Sequence, residues 1–211
     1  MQQDLKTGWD FFDSHDARVK IRVLRAIDKP LDVMRVSDIC DKAGISRRTF
    51  YRHFDNKYDI PDWFISYCAK FYLDDIGRSI GWRMGYYHHF RLIAQERDVL
   101  RKALRYSINE PFKGTFGTEK RTQVILETLR ECRGVKVDHN MEFLAETFAK
   151  VEREIINEWL RSERPVDLSR WTEDMVSVIP PRLYKAMEID DVDSIDSFLS
   201  SSAKALANIY K

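Results

Sequence analysis

The run from Val36 to Lys57, VSDICDKAGISRRTFYRHFDNK, restricts what this chain can fold into more than any other stretch. Val36, Ile39, Cys40 and Ala43 recur at i, i+3, i+4 and i+7, the apolar stripe of a short amphipathic helix. Gly44 follows at once and suits the left-handed residue that ends a helix. Ile45 can fill the angle between two helices, and Ser46 can N-cap the second. In that second helix Phe50 and Phe54, four apart, face inward together. At about 100° per residue, Arg48 and Arg52 point the opposite way, flanked by Thr49 and Tyr51. Two short helices around a tight turn, the second presenting Arg, Thr, Tyr and His outward, make a helix-turn-helix of the DNA-reading kind.

The charge distribution points the same way. The net charge of +1 hides an asymmetry: residues 17–57 carry eleven Lys and Arg against five Asp, a net of +6. Residues 58–211 carry 23 basic against 25 acidic residues, a net of −2. A local cationic excess displaces condensed counterions from DNA phosphates. Arg47, Arg48 and Thr49 open the second motif helix, the end that meets base edges in the major groove. Arginine can bind O6 and N7 of guanine bidentately. The competing reading is that these arginines touch only phosphates and water, since half or more of such contacts go to the backbone.

The rest of the chain reads as helical. Eight Gly and six Pro among 211 residues argue against a loop-rich β fold. The first helix is expected from Ala17 to about Ile27, with Ile21, Leu24 and either Val23 or Ile27 inward, closed by Pro30. Arg35 occupies the position before the second helix; its side chain accepts no hydrogen bond, so Ser37 is a candidate cap. A long helix is expected from near Tyr58 to Gly77, then helices over Ile80–Gln95, Asp98–Ser107 and Glu119–Arg133. PFKGTFG (111–117) reads as a loop. Asp138–Arg161 is a further long helix, with Phe143, Leu144, Phe148, Val151, Ile155, Trp159 and Leu160 forming a wide apolar stripe. Pro165 breaks the chain, Ser169 or Thr172 can cap the next helical segment, and Pro180-Pro181 splits that segment into two pieces, roughly 169–179 and 181–188. The acidic segment 190–197 suits the start of a last helix. Residues 1–15, with Trp9, Phe11 and Phe12, form an arm.

No stretch approaches 18 uninterrupted apolar residues, and the acidic, polar start lacks the pattern of a signal peptide. A cytoplasmic protein without membrane contact is the expectation. Cys40, Cys68 and Cys132 show neither CxxC spacing nor scaffold density. Adjacent His88 and His89 point about 100° apart on a helix and lack an i,i+4 partner, so no metal is expected. No GxSxG, HExxH, Walker loop or GxGxxG is present, so neither catalysis nor a cofactor is expected.

The motif resembles the N-terminal DNA-binding domain of the TetR family of transcription regulators. The residues that carry the resemblance are Ile39, Ala43-Gly44-Ile45-Ser46, Thr49-Phe50-Tyr51-Arg52-His53-Phe54 and Asn56-Lys57. Motif-level resemblance spans about residues 17 to 60. It implies an all-α chain: a three-helix helix-turn-helix domain over residues 1–57, then a larger helical effector-binding and dimerisation domain over 58–211. It implies a DNA-contacting set of Ser37, Ser46, Arg47, Arg48, Thr49, Tyr51, Arg52, His53 and Lys57, with Tyr51, His53 and Lys57 holding phosphates or sugars. It further implies a homodimer on a palindromic operator, acting as a repressor that a small apolar or aromatic effector releases. Tyr67, Phe71, Trp82, Tyr86, Phe90 and Phe148 are the candidate ligand-lining residues; the same rings at helical spacing equally describe an ordinary core. The alternatives are a regulator or activator whose second domain docks a partner protein, and an enzyme that uses the helix-turn-helix for docking.

Overall fold

The computed structural model describes residues 14–104, 118–163 and 167–189. Those residues form ten α-helices and no named strand: α1 (His15–Arg25), α2 (Val36–Ala43), α3 (Arg47–His53), α4 (Asp59–Tyr72), α5 (Trp82–Ala94), α6 (Arg97–Leu104), α7 (Thr118–Glu127), α8 (His139–Arg161), α9 (Leu168–Ser177) and α10 (Pro181–Met187). The N-terminal arm, the 111–117 loop, the Pro165 break, the acidic segment with its last helix and the 105–107 end of one expected helix lie outside the described residues.

Helix ends follow local chemistry. α1 begins earlier than its apolar pattern suggests because the Ser14 hydroxyl accepts the amide of Ala17 at 3.1 Å. Ile21, Val23, Leu24 and Ile27 are all buried. α4 is shorter than expected. It stops at Tyr72, and a tight turn over residues 73–81 tucks the buried Ile76 against α5. That approach is why α5 carries glycine at 85: a Cβ there would lie 2.4 Å from Cγ1 of Ile76. α7 continues as a π turn, Thr128–Cys132, where Arg133 donates its amide to the Thr128 carbonyl. Asp167, rather than Ser169 or Thr172, caps α9, its carboxylate accepting the Arg170 amide at 3.0 Å. Asp138 caps α8 in the same way. Its carboxylate is also gripped by Arg182 at 2.8 Å, tying α8 to α10.

One hydrophobic core runs from Ala17 to Met187 without a break at residue 57. α4 supplies the continuity, packing on α1 on one side, where α1, α2 and α3 form the reading head, and on α5 on the other. α7 lies along α8, and α9 along α5. The expected stripe of α8 divides into two faces. Met141, Ala145, Phe148, Glu152, Ile156 and Trp159 are buried, while Phe143 is 57% exposed and Val151 36%. Leu144 and Ile155 are half-buried between them. No helix among the described residues is long and apolar enough to cross a membrane.

Candidate DNA-reading face and the interior behind it

The geometry of the motif starts with its turn. Gly44 sits at φ 63°, ψ 42°, the left-handed conformation that a side chain disfavours. The amide of Ile45 then bonds back to the Cys40 carbonyl at 3.0 Å, closing α2. α2 starts at Arg35, whose amide donates to the Asp38 carboxylate at 3.2 Å. That carboxylate, at the third helical position, reaches back to the N-cap amide, the one half of a capping box that an arginine at the N-cap allows. Ser37 therefore lies inside the first turn and donates to Asp38. Ser46 caps α3: its hydroxyl accepts the Thr49 amide at 3.0 Å and bonds the Thr49 hydroxyl at 2.9 Å.

α3 is anchored from beneath. Phe50 and Phe54 are buried with ring centroids 5.6 Å apart, and Phe54 meets Trp63 of α4 edge-on at 6.2 Å. Loss of a side chain such as Phe50 costs about 3–5 kcal/mol, so these rings hold the helix rather than read DNA. On the opposite side Arg47, Arg48 and Arg52 are exposed, Thr49 is half-exposed and Tyr51 is 49% exposed. The structure therefore brings Ser46, Arg47, Arg48, Thr49, Tyr51 and Arg52 onto one projecting surface.

The remaining members of the set are tied inward. The His53 side chain is only 5% exposed, its Nδ1 2.8 Å from the Asp16 carboxylate at the start of α1. Burial lowers its pKa, with Arg52 and Lys20 adding to the effect and Asp16 opposing it. Lys57 donates to the carbonyl of Met34 at 2.9 Å and lies 3.4 Å from that of Asp32. Both clasp the head's own segments. Their positions in sequence gave no sign of these partners, which are distant along the chain.

The helices from α4 onward keep polar groups inside. Arg121 of α7 meets Glu152 of α8 through Nε, at 2.9 and 3.1 Å from the two carboxylate oxygens. Its Nη1 donates to the Leu73 carbonyl at the end of α4 at 2.7 Å. The Tyr86 hydroxyl of α5 donates to Glu152 at 2.5 Å. Helices α5 and α7 thus converge on one buried carboxylate of α8, and Arg121 ties the cluster to the end of α4. Burial, with the Glu152 charge beside it, pushes the Tyr86 phenol well above its usual range. Burial opposes the charge on Arg121, but Glu152 and Tyr86 outweigh it and hold the guanidinium protonated. Burial, aided by Arg121, pushes His89 down to about 3. Burial, aided by Arg91, pushes His88 to about 4.

Of the expected ligand-lining residues, Trp82, Tyr86, Phe90 and Phe148 are fully buried and touch one another. Trp82 stacks on Tyr86 at 6.1 Å and meets Phe148 edge-on at 5.6 Å. Phe90 reaches Trp159 at 5.1 Å. Tyr67 and Phe71, half-buried on α4, form a separate edge-on pair at 5.0 Å. Sequence reasoning passed over Arg121 and Glu152. The available signal was a carboxylate at i+4 from Phe148 and i−4 from Ile156, in the middle of an apolar stripe.

Comparison with known proteins adds three findings. No curated protein matches the chain. Over 83% of its length it is similar, at 18% identity and a TM-score of 0.48, to 98% of the crystallised chain of Thermus thermophilus FadR, a TetR family transcriptional repressor solved in complex with lauroyl-CoA. Residues 26–60 match the family model of bacterial regulatory proteins of the tetR family. That span runs from the end of α1 through both motif helices into α4, so the segment that forms the helix-turn-helix is similar to the corresponding segment of that family.

Proposed function

We propose that this chain is a sequence-specific repressor that binds a palindromic operator as a homodimer and is released by a small apolar or aromatic effector. The observation that carries the DNA reading is the projecting face of α3, where Arg47, Arg48, Thr49, Tyr51 and Arg52 stand over the buried Phe50 and Phe54. Residues 1 to about 57 form the head, and the remainder forms the regulatory domain. Arg48 and Thr49 read base edges. Lys57 and His53 orient the head, with Lys57 adding charge near the phosphates. The protein acts by binding, and catalysis has no part in this reading.

The split stripe of α8 supports the dimer reading. Phe143 and Val151 are exposed beside the half-buried Leu144 and Ile155, an apolar outer face that a second copy would cover. Two heads spaced one helical turn apart, about 34–36 Å, then meet successive half-sites. Light scattering should give twice the 25.0 kDa chain mass; a monomer at micromolar concentration, with and without DNA, rejects this arrangement.

The effector reading draws on two buried donors, Arg121 Nη2 and Trp159 Nε1, which find no hydrogen-bond partner among the described residues. A ligand acceptor would satisfy one of them. The second reading, a partner protein in place of a small molecule, is favoured by the mutual packing of Trp82, Tyr86 and Phe148. A thermal-shift screen of aromatic and aliphatic compounds separates the two, since an effector must both raise Tm and release bound duplex.

Fluorescence anisotropy on operator and scrambled duplexes at several salt concentrations tests the reading face. Arg48→Ala or Thr49→Ala should reduce discrimination by ~1–3 kcal/mol if a bidentate base contact is lost. Lys57→Ala should weaken both duplexes alike and lower the salt slope by roughly one. An unchanged operator-to-scrambled ratio in both Arg48→Ala and Thr49→Ala would remove these residues from base reading.

A further inference from the structure

The turn between α5 and α6 carries two neighbouring charged side chains that reach in opposite directions. Glu96 is buried and accepts both Nε and Nη2 of Arg25, at 2.8 and 2.5 Å, on the last turn of α1. Arg97 is also buried. Its Nη2 donates to the carbonyls of Trp159, at 2.9 Å, and of Ser162, while its guanidinium lies over the Trp159 ring at 5.3 Å. The carbonyls at the end of a helix have no intrahelical partner, and a cation there is favoured by the helix dipole. Arg97 therefore closes the C-terminal end of α8, while the adjacent residue closes on the reading head.

The two grips share one peptide unit, whose Cα atoms lie about 3.8 Å apart. Neither can slip cheaply. Pulling Arg25 away leaves a buried carboxylate without its cation, and pulling Arg97 away strips the last carbonyls of α8. α6, which begins at Arg97, packs on α8 on one side and on the Leu31–Val33 turn of the head on the other. The strip from α8 to α1 is thus continuous, and its parts lie 62 to 71 residues apart in sequence.

We propose that Glu96 and Arg97 form a coupling joint, through which the position of the head and the C-terminal end of α8 are read by one another. Both are positioning residues: Glu96 acts through Arg25 on α1, and Arg97 acts on Trp159. The joint rests on the DNA-reading assignment, because DNA is the load that moves the head. Coupling is reciprocal, so a duplex bound at α3 must be felt at Trp159, and no effector is needed for the test.

The test uses full-length protein labelled with 5-fluorotryptophan, with the Trp159 resonance assigned by its loss in Trp159→Phe. The probe is a duplex enriched from a random library by the wild-type protein. At saturating duplex the Trp159 resonance should shift in the wild type. That shift should be lost in Arg25→Ala and in the isosteric Glu96→Gln, both still saturated with duplex, and retained in Arg25→Lys. A merely structural ion pair would alter melting but leave the duplex-induced shift in place. A Trp159 resonance unmoved by saturating duplex in the wild type, or a shift that persists in both Arg25→Ala and Glu96→Gln, overturns the joint alone. Failure of the library to yield any bound duplex overturns the DNA reading first and the joint with it.

Discussion

The reading head and the domain behind it dispose of their charged groups in opposite ways. In the head, a small apolar cluster around Phe50 and Phe54 leaves Arg47, Arg48 and Arg52 in solvent, where each is cheap to hold. Behind it Arg121, Glu152 and Arg97 are buried as charges, and His88 and His89 are buried in the neutral form. Charges in water cost little and serve a partner; charges in a core must be matched by others and therefore fix a geometry. The head is built to touch something outside itself. The helices behind it are built so that α5, α7 and α8 meet at one carboxylate.

The largest test of that contrast lies at the buried pair. Glu152→Leu should lower the unfolding free energy by about 3–5 kcal/mol, because Arg121 is left charged in the core. Arg121→Met combined with Glu152→Leu should recover most of the loss. Arg48→Ala, by contrast, should change stability by less than about 0.5 kcal/mol. Urea titrations of the four proteins decide it, and a double variant no better than Glu152→Leu alone would mean that packing, not charge pairing, dominates at this site.

Acid has the next largest effect. His88 and His89 are neutral in the native state, pushed down to about 4 and about 3 by burial. Unfolded histidines titrate near the ordinary value, about 6.5. As pH falls below that value the unfolded chain takes up protons that the native chain refuses. Stability therefore falls by about 1.4 kcal/mol per pH unit for each histidine. The loss ends only at the native values. His53 in the head shifts the same way but is partly held by Asp16. Urea midpoints between pH 7 and 5 should slope steeply in the wild type and about half as steeply in His88→Gln or His89→Gln. Equal slopes in all three proteins would place the acid sensitivity elsewhere.

Two glycines sharpen the contrast at smaller scale. Gly85 is required by space, so Gly85→Ala should cost roughly 1–3 kcal/mol through overpacking. Ile76→Ala in the same chain should relieve that overpacking term. Gly44 is required by backbone conformation alone, since a Cβ there would meet nothing within 4 Å. Gly44→Ala should cost about 1 kcal/mol, Gly44→Asn less, and no neighbouring truncation should rescue either. Hydrogen exchange should place the Gly44→Ala loss in α2 and α3.

The sequence by itself determined the all-helical architecture, the helix-turn-helix with its Gly44 turn and Ser46 cap, and which residues of α3 face outward, except His53, which it placed outward and which the fold turns in against Asp16. All of these rest on relations within about four residues, where backbone geometry dictates who meets whom. It also marked most helix positions within a turn, though it placed the α9 cap two residues late and carried α4 past Tyr72. Only the tertiary structure decided which half of the α8 stripe is buried, because Phe143 and Phe148 look alike until α5 and α7 are in place. The same holds for the partners of Arg121, of Glu96 and of His53. Arg121 and Glu152 are 31 residues apart, Tyr86 and Glu152 are 66, and Arg25 and Glu96 are 71. A charged residue has no local period that names its partner across such distances, and packing of the helices makes that choice.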